Sequence, residues 1–373
     1  MPLTLMEGNE AVARGAVAAG CRFFAGYPIT PATTILNHML AMLPPLGGVC
    51  IQGEDEIASI GFCLGASMAG MKVMTATSGP GISLYSEQIS FAVGSEIPIV
   101  IVDIQRLGPS TGSATRGADG DVQCLRWGNS GGLPVIVLAP TDVRDCFTLT
   151  VQAFNLAERY RCPVFVASNK EIAMTRETVP LEALQPPALI ERTPPPLSDP
   201  YLPFKTAPGE DVPGFLPIGG ATLVRQTSST HGPDGYIATD PAAIAAMLER
   251  MQRKIEGAVD RFAFVDHRPA PGADTLVVSY GVTARAAAAA ADRLTRSGRP
   301  VSSLVLKTLW PVPQAAIRRA AAGIRRVLVV EMNLGQYVHE IARGLPGIPI
   351  DFLGQMDGRL ITPEAITEAL IHG

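Results

Sequence analysis

Three consecutive carboxylates, Glu54, Asp55 and Glu56, are the first residues in this sequence whose types suggest chemistry. They lie between an apolar strand-like run and an apolar segment with helical spacing that begins near Ile57. Acidic residues at a helix N-terminus are often caps, stabilised by the helix macrodipole. Three carboxylates exceed what capping needs. We therefore expect at least one to border an apolar pocket, where it can hold a proton and act as a proton donor.

A glycine-rich turn, Thr77-Ser78-Gly79-Pro80-Gly81, follows the strand-like run KVMTAT and precedes a helix predicted from Ile82. Loops at the carboxyl ends of strands bind ligands in doubly wound sheets. Their backbone N–H groups can face the ligand, as in phosphate loops. The pattern is neither GxGxxG nor GxxxxGK[ST], so the glycines alone do not indicate a nucleotide.

A second turn, Tyr27-Pro28-Ile29-Thr30-Pro31, follows the apolar run CRFFAG. Its two prolines restrict the backbone on both sides of Thr30, so the threonine hydroxyl should be held stiffly. The pattern predicts Thr30 as a helix N-cap and Pro31 in the first helical turn.

Two arginines, Arg106 and Arg116, lie in a loop rich in Gly, Ser and Thr after the strand-like run IPIVIVDI. Arginine stays charged and binds carboxylates in a bidentate manner, so these residues are candidates for a carboxylate-binding site. Each could equally be an ordinary solvated loop arginine, and the local sequence leaves both interpretations open.

The histidines and cysteines argue against a metal or redox centre within this chain. The five histidines have no ligand spacing, and the closest pair of the six cysteines, Cys50 and Cys63, is 13 residues apart. With no CxxC motif, a zinc ribbon, a thioredoxin-type pair or a ferredoxin-type cluster is not expected. We predict no metal ligands on this chain.

Composition points to partner chains. The chain has 373 residues and a net charge of -4, but only 17% of its residues are charged, against a usual ~25%. Low charge with 37 glycines and 32 prolines predicts many tight turns and a surface partly buried against other chains. The absence of a basic cluster argues against nucleic-acid binding. We expect a cytoplasmic protein, because neither a signal peptide nor a membrane-spanning stretch is recognisable.

Apolar, β-branched runs alternate with helical patterns, which predicts an α/β fold of two doubly wound domains. We expect a first domain at residues 1–180 and a proline-rich connector with a helix at 181–265. A smaller β-α repeat should occupy 266–373. In the helix after Glu56, the small residues Gly61, Gly65 and Ala69 share one face, which predicts tight packing of this helix on the sheet.

Several motifs, taken together and in order, resemble the alpha subunit of 2-oxoacid:ferredoxin oxidoreductases, with the 2-oxoglutarate type most similar. The resemblance covers nearly the whole chain and includes LKTLWPVP (306–313). It is carried by YPITP (27–31), GEDEIASIGFCLGASMAG (53–70), TSGPG (77–81), QRLGPSTG (105–112) and VVEMNLGQ (329–336).

The resemblance implies a pyrimidine-binding domain for thiamine diphosphate and a smaller domain like the C-terminal domain of transketolase. It assigns the glutamate that hydrogen-bonds the aminopyrimidine to Glu56. It assigns contact with the substrate carboxylate to Thr30 and Arg116, with Arg106 as a second candidate. The cofactor-binding residues it implies are Tyr27, Pro28, Ile29, Glu56, Thr77, Ser78 and Gly79.

The resemblance also implies a heteromeric complex that oxidatively decarboxylates a 2-oxo acid to an acyl-CoA and reduces ferredoxin. Thiamine diphosphate would be shared with a beta subunit, which would hold Mg²⁺ and, with a ferredoxin-like delta subunit, the [4Fe-4S] clusters. A separate gamma subunit is expected as well. Coenzyme A and ferredoxin would be the other reactants.

One stretch departs from the family pattern. Members commonly carry Leu-Pro or Met-Pro before the threonine near position 115, and Gln-Gly-Asp or Gln-Ala-Asp a few residues later. This chain has Ser113-Ala114-Thr115 and Asp119-Gly120-Asp121 instead. A branched or aryl 2-oxo acid is therefore an alternative substrate. A non-catalytic nucleotide-binding or assembly subunit is an alternative function.

Overall fold

The computed structural model describes residues 2–196 and 200–372, so the two terminal residues and positions 197–199 of the predicted connector lie outside the described residues. The strands of the described ranges are β1 (Leu3–Glu7), β2 (Phe23–Gly26), β3 (Val49–Gln52), β4 (Val73–Thr77), β5 (Ile99–Gln105), β6 (Ile136–Leu138), β7 (Pro163–Asn169), β8 (Arg176–Pro180), β9 (Val265–Arg268), β10 (Thr275–Tyr280), β11 (Val301–Leu306), β12 (Thr308–Trp310), β13 (Arg326–Glu331) and β14 (Ile350–Gly354).

The α-helices of the same ranges are α1 (Gly8–Ala18), α2 (Thr33–Met42), α3 (Glu56–Met68), α4 (Pro80–Leu84), α5 (Ser86–Gly94), α6 (Val122–Trp127), α7 (Val143–Tyr160), α8 (Lys170–Met174), α9 (Pro241–Glu256), α10 (Thr283–Arg296), α11 (Gln314–Ala320), α12 (Val338–Gly344) and α13 (Pro363–His372). None of these helices combines the length and apolar character needed to cross a membrane.

The first sheet has seven strands in the order β12-β6-β7-β5-β4-β2-β3. All its pairings are parallel except that of β12 with β6. Residues of α1, α2 and α7 form the core on one face, and residues of α3, α5 and the C-terminal unit form the core on the other. All seven residues of the central strand β5 are buried, which explains its nearly continuous apolar sequence.

The second sheet has five strands in the order β14-β13-β10-β11-β9, of which only the edge strand β9 is antiparallel. Four β-α repeats build this unit, as the sequence predicts, and the α/β class with two doubly wound sheets is confirmed. Strand β12 leaves the second unit and pairs with β6 at the edge of the first sheet, so the two units share a strand pairing.

The proline-rich connector packs against the first unit although residues 185–196 and 200–240 contain no helix or strand. Arg192 anchors it: one Nη donates to the Ser67 carbonyl at 2.7 Å, and the guanidinium forms an ion pair with buried Glu158 at 2.5 Å. The same guanidinium lies 4.5 Å from the ring centroid of Phe215, which is itself buried. These contacts hold the connector against a surface of the first unit that lies away from the carboxyl end of β4.

Candidate active site

Of the three consecutive carboxylates, only Glu56 is buried. Helix α3 begins at Glu56, and Asp55 is its N-cap, with its carboxylate accepting a hydrogen bond from the Ala58 N–H at 2.7 Å. Glu54 is exposed, whereas Glu56 is only 8% exposed. Among the described residues, none donates a hydrogen bond to the Glu56 carboxylate. Capping therefore explains Asp55, and Glu56 is left as a buried acid without a partner.

Residues 77–81, here called the Thr77 loop, lie directly beside Glu56. Thr77 and Ser78 are fully buried, and neither hydroxyl oxygen has a hydrogen-bond partner among the described residues. A Cβ placed on Gly81 would lie 2.0 Å from Thr77 Oγ1 and 3.0 Å from Glu56 Oε1. Glycine at this position therefore lets the loop approach the carboxylate. The unpaired hydroxyls and the unpaired carboxylate can therefore form hydrogen bonds with a small polar ring bound beside them.

Arg106 is buried, at 5% exposure, so the solvated-arginine interpretation is wrong for this residue. Its Nη1 donates to the Thr30 carbonyl at 2.5 Å, and its Nη2 donates to the Thr111 carbonyl at 3.0 Å. Its Nε lies 3.3 Å from the position of a Cβ on Gly79. Arg106 therefore contacts three loops: the turn around Thr30, the Thr77 loop, and residues 105–121, here called the arginine loop.

The prediction that Thr30 is a helix N-cap is wrong. Helix α2 begins at Thr33 with Ala32 as its N-cap, and no side chain caps it. The reason is a preceding turn, in which the Thr33 N–H bonds the Ile29 carbonyl at 2.9 Å and delays the helix by two residues. Thr30 is exposed, so its hydroxyl is free of capping and available to a ligand.

Arg116 lies at the far end of the arginine loop and is exposed. Its backbone pairs with Leu107 and Ser113, which closes the loop on itself. Its side-chain carbons lie 2.9 to 3.1 Å from the position of a Cβ on Gly358, a glycine of the second unit with φ of 79°. Within the described part of the chain no acid pairs with its guanidinium. The second unit thus supports Arg116 and leaves its charge available.

The remaining predicted cofactor residues lie at the start of the same turn. Tyr27 is 38% exposed, whereas Pro28 and Ile29 are half-buried. They directly follow the fully buried strand β2, which is parallel to β4 in the sheet. The contacts thus connect Glu56, the Thr77 loop, Arg106 and the turn of residues 27–31 at the carboxyl ends of the strands.

Three aspartates of this region, the buried Asp103 and Asp119 and the half-buried Asp121, were not recognised as site residues. Asp103 lies within β5 and is fully buried, and Asp119 and Asp121 lie in the arginine loop. Burial raises the pKa of Asp119 to about 7; the Asn169 amide, which bonds Asp119 at 2.8 Å, opposes this rise and the Glu331 carboxylate adds to it. The sequence signal that could have identified Asp103 is its position as a polar residue near the end of the apolar run IPIVIVDI.

The small-residue face of α3 does not pack on the sheet, contrary to the prediction. A Cβ placed on Gly61 or on Gly65 would meet no atom within 4 Å outside the helix's own backbone. Ile57 and Phe62, on the same helix, are each 46% exposed. The helix that carries Glu56 therefore presents apolar and small side chains outward.

A doubly wound sheet with a buried acid beside a loop at the carboxyl end of a strand is the arrangement of an α/β protein that binds a ligand at that loop. Residues 14–250 match the family described as pyruvate flavodoxin/ferredoxin oxidoreductase, thiamine diphosphate-binding. Residues 273–366 match core domain II of pyruvate:ferredoxin oxidoreductase. The chain belongs to this family of oxidoreductases, as the sequence motifs indicated.

Similar proteins agree with this membership. The chain is 40% identical over 372 residues to the 2-oxoglutarate synthase subunit KorA of Methanothermobacter marburgensis, covering 98% of both chains. It also matches the solved structure of 2-oxoglutarate:ferredoxin oxidoreductase from Magnetococcus marinus with a TM-score of 0.93 and 35% identity. That match covers 99% of this chain and 65% of the other, which was solved with 2-oxoglutarate, coenzyme A and succinyl-CoA bound. A split-gene transketolase, 13% identical with a TM-score of 0.55, shares the fold over 98% of this chain.

Proposed function

We propose that this chain is the pyrimidine-binding alpha subunit of a 2-oxoglutarate:ferredoxin oxidoreductase. The assembled enzyme would convert 2-oxoglutarate and coenzyme A to succinyl-CoA and CO₂, and pass two electrons to ferredoxin. The observation that carries the proposal is the buried Glu56 carboxylate, which lacks a donor among the described residues and borders the unpaired Thr77 hydroxyl. The full-length 40% identity to a 2-oxoglutarate synthase subunit supports the substrate.

Glu56 would hold the proton at N1′ of the aminopyrimidine, with Thr77, Ser78 and Gly79 beside the ring. Thiamine diphosphate, when bound, supplies a nucleophilic carbon for attack on the 2-oxo group and an electron sink for loss of CO₂. A carboxyl group positioned within hydrogen-bond reach of a ring nitrogen can exchange a proton with it. The half-buried Pro28 and Ile29 and the ring of Tyr27 would exclude water from one side of the cofactor.

Arg116 and the Thr30 hydroxyl would bind the C1 carboxylate of the substrate. Arg116 has no acid partner within the described residues, so its guanidinium can accept a carboxylate in a bidentate manner. Arg106 already donates to two backbone carbonyls. Its role is therefore to position Thr30, and we assign the direct contact with the substrate to Arg116.

A beta subunit would cover the outward face of α3 and supply the diphosphate- and Mg²⁺-binding half of the site. The open positions at Gly61 and Gly65 and the exposed Ile57 and Phe62 leave room for a helix to approach closely beside Glu56. The clusters would lie on the beta chain and on a ferredoxin-like delta chain, with gamma as a further chain. Gly61→Leu should prevent co-purification of beta, whereas Gly220→Leu, at an exposed glycine with open space, should not.

The function is tested by assaying the assembled complex with thiamine diphosphate, Mg²⁺, coenzyme A and ferredoxin against a set of 2-oxo acids. We expect kcat/KM to be highest for 2-oxoglutarate, compared with 2-oxoisovalerate, phenylpyruvate and pyruvate. A preference for a branched or aryl 2-oxo acid would rule out 2-oxoglutarate as the main substrate but would leave the proposed reaction class unchanged. No turnover, together with no binding of thiamine diphosphate, would favour a non-catalytic assembly subunit.

A further inference from the structure

The motif VVEMNLGQ (329–336) of the second unit contacts the end of the arginine loop, although the proposed function gives this motif no role. The Asp119 N–H bonds the Met332 carbonyl at 2.9 Å, and the Asn333 side-chain amide donates to the Asp119 carbonyl at 2.9 Å. Asp119 follows Arg116 closely in the sequence. The second unit therefore holds the chain directly after the arginine that we assign to the substrate carboxylate.

The side-chain amide of Gln336 makes two hydrogen bonds of opposite sense to the first unit. Its Nε2 donates to the Gly120 carbonyl at 2.5 Å, and its Oε1 accepts from the Gln123 N–H at 3.1 Å. The Gln123 side chain in turn donates to the Gln336 carbonyl at 2.5 Å. Asp121 is the N-cap of α6 but makes no side-chain capping bond. Gln336 therefore satisfies a carbonyl of the arginine loop and an N–H of the first turn of α6 at once.

Asn333 forms the turn that presents Gln336. Asn333 is fully buried, and its Oδ1 accepts hydrogen bonds from the Gly335 N–H at 2.9 Å and from the Gln336 N–H at 3.0 Å. Its Nδ2 also donates to the Tyr280 hydroxyl at 2.8 Å. A change at Asn333 would therefore alter the turn itself, whereas the half-buried side chain of Gln336 bonds across the two units. Gln336 is the cleaner position for a test.

The attachment to the second unit bears on Arg116 because the loop closes on itself. The Leu107 N–H bonds the Arg116 carbonyl at 2.8 Å, so the two ends of this part of the loop are joined. At its start the loop follows Gln105, whose Oε1 accepts from the Asp121 N–H at 2.9 Å. The orientation of the loop is thus set by strand β5 on one side and by the bonds of Gln336 on the other.

We propose that Gln336 is a positioning residue: by bonding both the Gly120 carbonyl and the Gln123 N–H, it fixes the end of the arginine loop and so holds Arg116 in place for the substrate carboxylate. The second unit in this way sets the affinity for the 2-oxo acid without contacting it. The role given to Arg116 rests on the proposed function. The fixing of the loop by Gln336 does not.

Two substitutions separate the two bonds of the Gln336 side chain. Gln336→Met keeps the length of the side chain but has neither the N–H donor nor the oxygen acceptor, so both bonds are lost. Gln336→Glu keeps an acceptor for the Gln123 N–H, but its carboxylate cannot donate to the Gly120 carbonyl. Gln252→Met, at an exposed glutamine of α9, is the matched control.

The first measurement is the steady-state kinetics of the assembled complex with 2-oxoglutarate. Loss of one neutral hydrogen bond corresponds to roughly a 2- to 10-fold change in an equilibrium constant. We therefore expect KM to rise roughly 5- to 50-fold in Gln336→Met and roughly 2- to 10-fold in Gln336→Glu, with kcat within about twofold of the wild type. The control should match the wild type. An unchanged KM in Gln336→Met, or a fall in kcat without a rise in KM, would overturn the proposal.

The second measurement is hydrogen exchange, followed by mass spectrometry, of residues 107–123 in the same complex. Exchange should rise at least about threefold in Gln336→Met and stay unchanged in the control, because the loop opens more often once these bonds are lost. Equal exchange in wild type and variant would show that Gln336 does not fix the loop. If Gln336→Met does not assemble, Gln123→Met, which removes the bond to the Gln336 carbonyl, decides the same comparison.

The two measurements also separate this proposal from the proposed function. A wild-type complex that turns over no 2-oxo acid would reject the proposed function and the role of Arg116, and the exchange result would still decide whether Gln336 fixes the loop. A complex that turns over 2-oxoglutarate but shows neither change in the variants would reject the role of Gln336 alone.

Discussion

Arg106 donates a hydrogen bond from Nη1 to the carbonyl oxygen of Thr30 at 2.5 Å, across 76 positions of sequence. The bond joins the end of the central strand β5 to the turn that follows β2, and both lie at the carboxyl edge of the first sheet. Because the bond goes to the backbone carbonyl, it fixes the position of Thr30 and leaves the Thr30 hydroxyl free to bind a ligand. It also explains why a charged residue is buried at this point of the sheet.

Replacing Arg106 by lysine should disrupt this arrangement. A lysine ammonium lacks the planar fork that reaches two carbonyl groups at once. Loss of one charge-assisted bond costs about 1.5–3 kcal/mol, so we expect KM for the 2-oxo acid to rise roughly 10- to 100-fold. Steady-state kinetics of the complex check this, with Arg319→Lys, an exposed arginine, as the control. A KM within twofold of the wild type would contradict the positioning role.

Gly81→Ala should displace Glu56 or the Thr77 loop beside it. The added Cβ would lie 2.0 Å from Thr77 Oγ1, so one of the two must move. A misplacement of about 1 Å at a reacting group can cost on the order of 10²-fold in rate. We expect a loss of kcat of that size and weaker thiamine diphosphate binding, measured by titration of the complex. Gly220→Ala, at a glycine with open space, should leave both unchanged.

Arg116→Ala should raise KM for every 2-oxo acid by a similar factor, because the C1 carboxylate is common to all of them. The expected factor is again roughly 10 to 100, from the loss of bonds to a charged group. Arg299→Ala, an exposed arginine of the second unit, serves as the control. An effect confined to one class of side chain would instead assign Arg116 to recognition of the far end of the substrate.

Lys254→Met should destabilise the chain by removing a buried ion pair. Lys254 Nζ lies 2.7 Å from the fully buried Glu96 carboxylate, which Arg250 also contacts at 2.6 Å. Burial alone would raise the pKa of Glu96, but Lys254 and Arg250 outweigh it and lower the pKa below its usual range. Breaking a buried pair costs about 3–5 kcal/mol, whereas Arg253→Met, in an exposed pair with Asp211, should cost at most about 1 kcal/mol.

The measurement is the denaturation midpoint in urea, followed by circular dichroism. Because the pKa of Glu96 is lowered, the stabilisation by the pair is present at neutral pH and is lost only in strong acid. The difference between wild type and Lys254→Met should therefore stay constant between pH 5 and 8. Equal midpoints for the two proteins would show that Lys254 contributes nothing at this position.

Most of the fold could be predicted from the sequence, because buried parallel strands read as continuous apolar runs. Strands β4 and β5 fall within two residues of the runs KVMTAT and IPIVIVDI. The transfer of β12 to the first sheet could not be predicted, since its three residues carry no signal for which sheet they join. The paired strands β1 and β8 were likewise outside the expected pattern.

The candidate site was only partly predictable. The resemblance assigned Glu56 rather than Glu54 and placed Arg116 ahead of Arg106, but the local residue types alone separated neither pair, because burial depends on which elements pack over each residue. The structure buries Glu56 and Arg106 and exposes Glu54 and Arg116. The hydrogen bond from the Asp121 N–H to Gln105 Oε1 depends on a loop that folds back onto β5, and local sequence does not encode such a contact.

In the proposed function, Glu56 activates a cofactor that is shared with a partner chain. The most direct measurement is the rate of hydrogen–deuterium exchange at C2 of thiamine diphosphate bound to the assembled complex, in wild type and in Glu56→Gln. Proton-transfer catalysis contributes roughly 10²- to 10⁴-fold, so the variant should exchange, and reduce ferredoxin, more slowly by that factor. Glu54→Gln, at the exposed neighbour, should match the wild type. An exchange rate unchanged by Glu56→Gln would show that Glu56 does not activate the cofactor.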